Sequence, residues 1–314
     1  MSARSRTVAL TILLALVPAE TALGAAPSPP GTAVENAEAR YEELFATASL
    51  WRVGDNVERV EAARAELAAA GEPAIRWLLD RHLGAETTLE RRALDAVLLA
   101  RREIAAPLVL ARIRRDGDLS PPERINLARL ARKLRLPEAA GTLAEWIAGT
   151  GDLSPGETRA LAQEALAALA ALDGERAAAT ARGLLDAPDP WVRVAAVRAL
   201  GRSGRAEAAT DLAAVAVGPD GVIVRGAAAL ALVDLGPPAV APLLAALDHC
   251  ARPDAAPAAC GFAIRAGAAL LPRLPAGDRR TLREALDRVA TLGPAAVAGL
   301  VVDLVYEGER SPGR

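Results

Sequence analysis

The side chains that could do chemistry are few. The chain holds two histidines, His82 and His249, and two cysteines, Cys250 and Cys260. A catalytic zinc keeps three protein ligands and an open position. His249, Cys250 and Cys260, with Asp248 or Asp254 as a fourth group, are the one stretch with ligand-like composition. The competing reading of the cysteines is a disulfide. An even count in a chain that reads as exported favours a Cys250–Cys260 bridge, and the two prolines between them read as a loop. Nucleophile, acid/base and metal groups are in thin supply, with no third histidine for a metal triad. The expectation is therefore a non-enzyme with no cofactor and no metal.

The remaining candidates are charged or aromatic. The segment 121–135 carries Arg124, Arg129, Arg132, Lys133 and Arg135 against Glu123 alone, and a second basic group follows at Arg193, Arg198, Arg202 and Arg205. Arg129, Arg132, Lys133, Arg198 and Arg202 form the expected partner-binding set, a basic strip facing an acidic partner or an anionic polymer; the plainer reading is a solvated helix face. Trp51, Trp77, Trp146 and Trp191 stand out where aromatics make up only 3% of residues. They read as core positions, or in one or two cases as exposed anchors for a peptide. Nucleic acid is not expected, because 37 basic residues balance 39 acidic ones and aromatic stacking platforms are missing.

Repetition in the sequence indicates the elements that must position these residues. Asp118-Leu-Ser-Pro-Pro-Glu123 recurs as Asp152-Leu-Ser-Pro-Gly-Glu157, 34 residues on. Each is a helix start: Ser120 and Ser154 cap, Pro121 and Pro155 suit the first helical position, and Glu123 and Glu157 complete a capping box. Asp189-Pro190 begins a third. Arg59, Arg92, Arg124, Arg159, Arg193 and Arg225 form a ladder with steps of 32 to 35 residues, each preceded by an acid. Arg265 reads as the next rung, 40 residues on, with the extra length taken up by an inserted loop at 249–261. Gly71, Gly236 and Gly293, each followed by proline within two residues, read as left-handed helix stops. Apolar residues between these signals fall at helical spacing. No alternating strand pattern survives. A core of Ala, Leu and Val suits closely packed helices.

The stretch Asp186-Ala-Pro-Asp-Pro-Trp-Val-Arg193-Val-Ala-Ala-Val-Arg-Ala-Leu-Gly201 resembles the HEAT-repeat superfamily, and so does Asp220-Gly-Val-Ile-Val-Arg225 through Gly236. The resemblance implies an all-α solenoid of about seven to eight stacked helical hairpins over 34–306. It also implies that Asp189, Arg193, Asp220 and Arg225 are a structural ladder between repeats and not an active site. Some members of that superfamily are iron hydroxylases using His-Glu pairs, absent here. Others are bilin lyases or their relatives, and nothing in this sequence marks a chromophore pocket.

The first 24 residues read as a signal peptide: Arg4 and Arg6, an apolar run from Val8 to Val17, then small residues at Ala22 and Gly24. The run is too short to span a bilayer, which needs about 20 residues. Residues 25–33 read as a linker and 307–314 as a tail. The expected protein is exported, periplasmic or extracellular, without a stable membrane span after cleavage. It binds another protein on the concave helix row. The alternatives are an enzyme or enzyme subunit built on the same scaffold, or a structural spacer.

Overall fold

The computed structural model describes residues 30–307. The expected signal peptide and nearly all of the expected tail lie outside the described residues. Within them the chain forms sixteen α-helices and no strand.

Seven hairpins stack in order, framed by α1 (Pro30–Ala48) and α16 (Ala295–Val301). One row consists of α2 (Asn56–Ala69), α4 (Thr88–Ala100), α6 (Pro121–Leu134), α8 (Pro155–Leu172), α10 (Pro190–Arg202), α12 (Val222–Leu235) and α14 (Pro257–Leu270). The other consists of α3 (Glu72–Arg81), α5 (Arg102–Arg114), α7 (Ala140–Ala148), α9 (Gly174–Arg182), α11 (Ala208–Val217), α13 (Val240–Cys250) and α15 (Ala276–Leu292). From α6 to α12 the first row packs far more closely from one repeat to the next than the second row does. The first row is therefore the inner, concave one, since a stack bends toward the side whose members lie closer together.

Small residues permit that closeness. A Cβ added at Gly201 in α10 would lie 2.7 Å from the Ala231 Cβ of α12. One continuous core of Ala, Leu and Val runs from Leu44 to Val305. Each hairpin covers its neighbour's apolar face, so no single hairpin closes a core alone.

The helix starts form as their residues dictate. Ser120 and Ser154 each make a full capping box with Glu123 and Glu157, and Thr87 does the same with Glu90. Gly71 and Gly236 end their helices at positive φ, 74° and 72°. Gly293 differs: its φ is −71°. Space is what it supplies, because a Cβ there would lie 3.0 Å from the Cys250 carbonyl oxygen.

Two boundaries need correction. Helix α1 starts at Pro30, inside the segment read as linker; proline fits a first helical turn, which has no use for its missing N–H. The expected insertion at 249–261 shrinks to residues 251–256, because α13 runs through Cys250 and α14 starts at Pro257. The second proline of that stretch starts a helix and does not extend a loop.

Candidate functional site

The expected structural ladder is made of contacts from one repeat to the next. Asp189 Oδ2 accepts hydrogen bonds from Arg159 Nε at 3.0 Å and Nη2 at 2.7 Å, while its Oδ1 caps α10 by accepting from the Trp191 N–H at 2.7 Å. Partial burial works against the charge of the Asp189 carboxylate, but Arg159 and the Trp191 N–H outweigh it and hold the pKa below the ordinary range. Arg193 Nε donates to Asp220 Oδ1 at 2.9 Å, and its Nη1 donates to the carbonyl of Ala187 at 2.6 Å. Arg225 reaches forward too, donating to the Ala258 carbonyl at 2.7 Å, with its guanidinium 5.3 Å from the centre of the Phe262 ring.

Arg265 is not the next rung. In α10 and α12 the ladder position lies four residues past the residue preceding the helix, as Arg193 follows Asp189 and Arg225 follows Gly221. In α14 that position is Cys260. It is bonded to Cys250 with the Cα atoms 5.5 Å apart, and both residues are fully buried. With both sulfurs in the bond, no thiolate remains for zinc, and Asp248 pairs with Arg288 at 2.7 Å. Among the described residues no group of three His, Cys, Asp or Glu side chains could hold a metal ion.

The expected basic strip divides. Arg129 is buried and belongs to a polar clamp between α4 and α6, where its guanidinium pairs with Asp95 and donates to Asn126 Oδ1 at 3.0 Å. Asn126 Nδ2 in turn donates to the carbonyls of Leu83 at 2.8 Å and Ala85 at 3.0 Å. Lys133 Nζ also donates to Asp95. Arg129 is therefore corrected from a surface residue to an internal one, and the charge of Lys133 is already partnered. Arg132 pairs with Glu164 of α8 at 3.3 Å.

Arg198 and Arg202 remain open. Both are exposed, and neither makes an ion pair among the described residues. They stand on the inner face of α10 and border two hollows of about 380 Å³ each. One is lined by Arg132, Gln163, Glu164, Ala167 and Arg202. The other is lined by Arg198, Arg202, Leu230, Ala231 and Asp234. Arg202 joins them into one groove across α6, α8, α10 and α12.

Burial along these helices is informative. From Val192 to Gly201 every residue is buried except Arg193, which the ladder uses, and Arg198. From Val224 to Val233 the only exposed residue is Leu230, at 70%. The spacing of charges did not reveal Leu230 as a candidate; the signal for it was its register with Arg198, an apolar residue in a column of polar ones. Of the tryptophans, Trp77 and Trp146 are core, while Trp51 and Trp191 are exposed, at 64% and 40%.

A sequence profile of the HEAT repeats matches residues 152–232 and 184–260. No curated protein matches the chain. Among solved structures, the complex of CpcE and CpcF of phycocyanin lyase from Nostoc aligns at 19% identity and TM-score 0.38, covering 88% of this chain and 99% of that one. Human deoxyhypusine hydroxylase, solved with glycerol, aligns at 19% identity and TM-score 0.34, covering 90% of this chain and all of that one. An engineered protein aligns at 16% identity and TM-score 0.34, over 80% of this chain and 98% of that one.

Proposed function

We propose that this solenoid of HEAT repeats is a protein-binding scaffold that holds its partner along the concave groove of α6, α8, α10 and α12. The observation that carries this reading is the open stripe on the inner helices. Past the first turns of α10 and α12, Arg198, Arg202 and Leu230 are left to solvent, and Asp234 is the one other exposed residue there. An arginine beside a bare leucine suits a protein surface: arginine is enriched among the residues that dominate binding energy, and the leucine offers apolar area to cover.

The place of action is the cell envelope, after removal of residues 1–24. The support is the charged start, short apolar run and small residues of the N-terminus, together with a buried disulfide, a bond that persists in oxidising compartments. No helix among the described residues is long and apolar enough to cross a membrane.

The test places a photo-crosslinking amino acid in living cells at Gln163 or Arg202 in the groove, and at Glu175 on the outer row as a control. The expected result is one defined protein adduct from the groove positions and none from position 175. Equal labelling from both faces, or no adduct from any groove position, overturns the reading. N-terminal sequencing of the protein from the envelope fraction is expected to begin at Ala25; a chain starting at Met1 in the cytosol overturns the export.

A further inference from the structure

Arg198, Leu230 and Arg265 share one register. Each stands nine residues past the residue that precedes its helix, which is Asp189 for α10, Gly221 for α12 and Ala256 for α14. All three are exposed, and neither arginine makes an ion pair among the described residues. They form a line across three consecutive inner helices, with charge at both ends and an apolar side chain in the middle. Asp234 and Arg202 occupy the next turn, where their opposite signs offset one another and leave the Arg198–Leu230–Arg265 line unopposed.

The step along that line is set by helix packing. Neighbouring helix axes lie about 8–10 Å apart, toward the short end where Gly and Ala face each other, as Gly201 and Ala231 do here. A polyproline II segment advances about 3.1 Å per residue with three residues per turn, so one of its faces repeats every ~9 Å. The two periods are commensurate. A β-strand presents one face every second residue, about 6.6 Å, and falls out of step after one repeat.

We infer that the groove, continued past α12 onto α14, takes an extended, polyproline II-like segment of a partner protein carrying acid, apolar and acid side chains at every third residue, with the acids on Arg198 and Arg265 and the apolar group on Leu230. This rests on the groove being the binding surface and adds the register and charge of what it binds. Such a segment gives up little conformational entropy on docking, because it is already extended when free.

The probe is a labelled synthetic peptide, Pro-Glu-Pro-Pro-Leu-Pro-Pro-Glu-Pro, read by fluorescence anisotropy against the full chain. Its control has the same composition with the acids two residues from the leucine. The in-phase peptide is expected to bind at least about tenfold more tightly than the control, and to weaken as salt rises because its charge contacts are exposed. Arg198→Gln and Leu230→Gln are surface changes, checked for intact helix content by circular dichroism, and each is expected to lower affinity at least about fivefold. Equal binding of the two peptides, no binding of either, or indifference to Leu230→Gln overturns the inference. If groove positions still crosslink to a partner in cells, only the register is lost; if they do not, the scaffold reading falls with it.

Discussion

Asp95 lies almost out of solvent between two cations, and the balance of charges around it is the most consequential detail among single residues. A buried ion pair contributes little net stability compared with an apolar pair, but removing one member strands the other. Asp95→Ala should therefore destabilise the protein by about 3–5 kcal/mol in urea titration, because Arg129 loses its counter-charge where it is buried. Adding Arg129→Met to that variant should restore much of the loss; a double variant no better than the single would show that the clamp acts by something other than charge. The same contact explains why Arg129 could not be read correctly from spacing. Its burial is decided by an acid on the preceding inner helix, and a run of bases on one helix looks alike whether it faces water or an aspartate. Leu230 was missed for the opposite reason, since a leucine in an Ala-rich helix reads as core until its neighbours' burial is known.

At the scale of elements the helix starts were legible because their chemistry is local. Ser154 and Asp189 accept backbone hydrogen bonds at their own helix ends, the Ser120 hydroxyl donates to Glu123, and the prolines that follow fit only the first turn. The carboxylates of two caps also carry a pH signature. For Glu123, partial burial opposes the charge but is outweighed by hydrogen bonds from the Ser120 N–H and hydroxyl and from Arg112; for Glu157, the Ser154 hydroxyl and N–H act. Both pKa values lie below the ordinary carboxylate range. Their stabilisation is fully present above the unfolded-state value and is lost as pH falls through the lowered folded value. The melting temperature should thus be flat from neutrality down to about pH 5 and decline below it. Glu157→Gln should lower the plateau slightly and reduce the decline; an unchanged acid limb in that variant would remove the cap from the account. The segment around the cysteines was misread because Pro257 serves as well in a loop as at a helix start. Only the observed helix shows that Cys260, not Arg265, takes the ladder position.

For the molecule as a whole, the repeat period implied a solenoid, and the close inner row from α6 to α12 shows where it is tightest. Stability in such a stack is a sum of neighbour terms, so its ends should open before its middle. Amide hydrogen exchange is expected to be slowest in α8, α10 and α12 and fastest in α1, α3 and α16. Uniform protection along the chain would instead mean that the whole array unfolds as one unit. One feature near the C-terminal end changes how damage is carried. The residues between Cys250 and Cys260 include an exposed stretch at Arg252–Asp254, open to a protease. A cut there would leave both fragments covalently joined, so the nicked protein would travel as one species on a gel until a thiol reductant released the smaller piece.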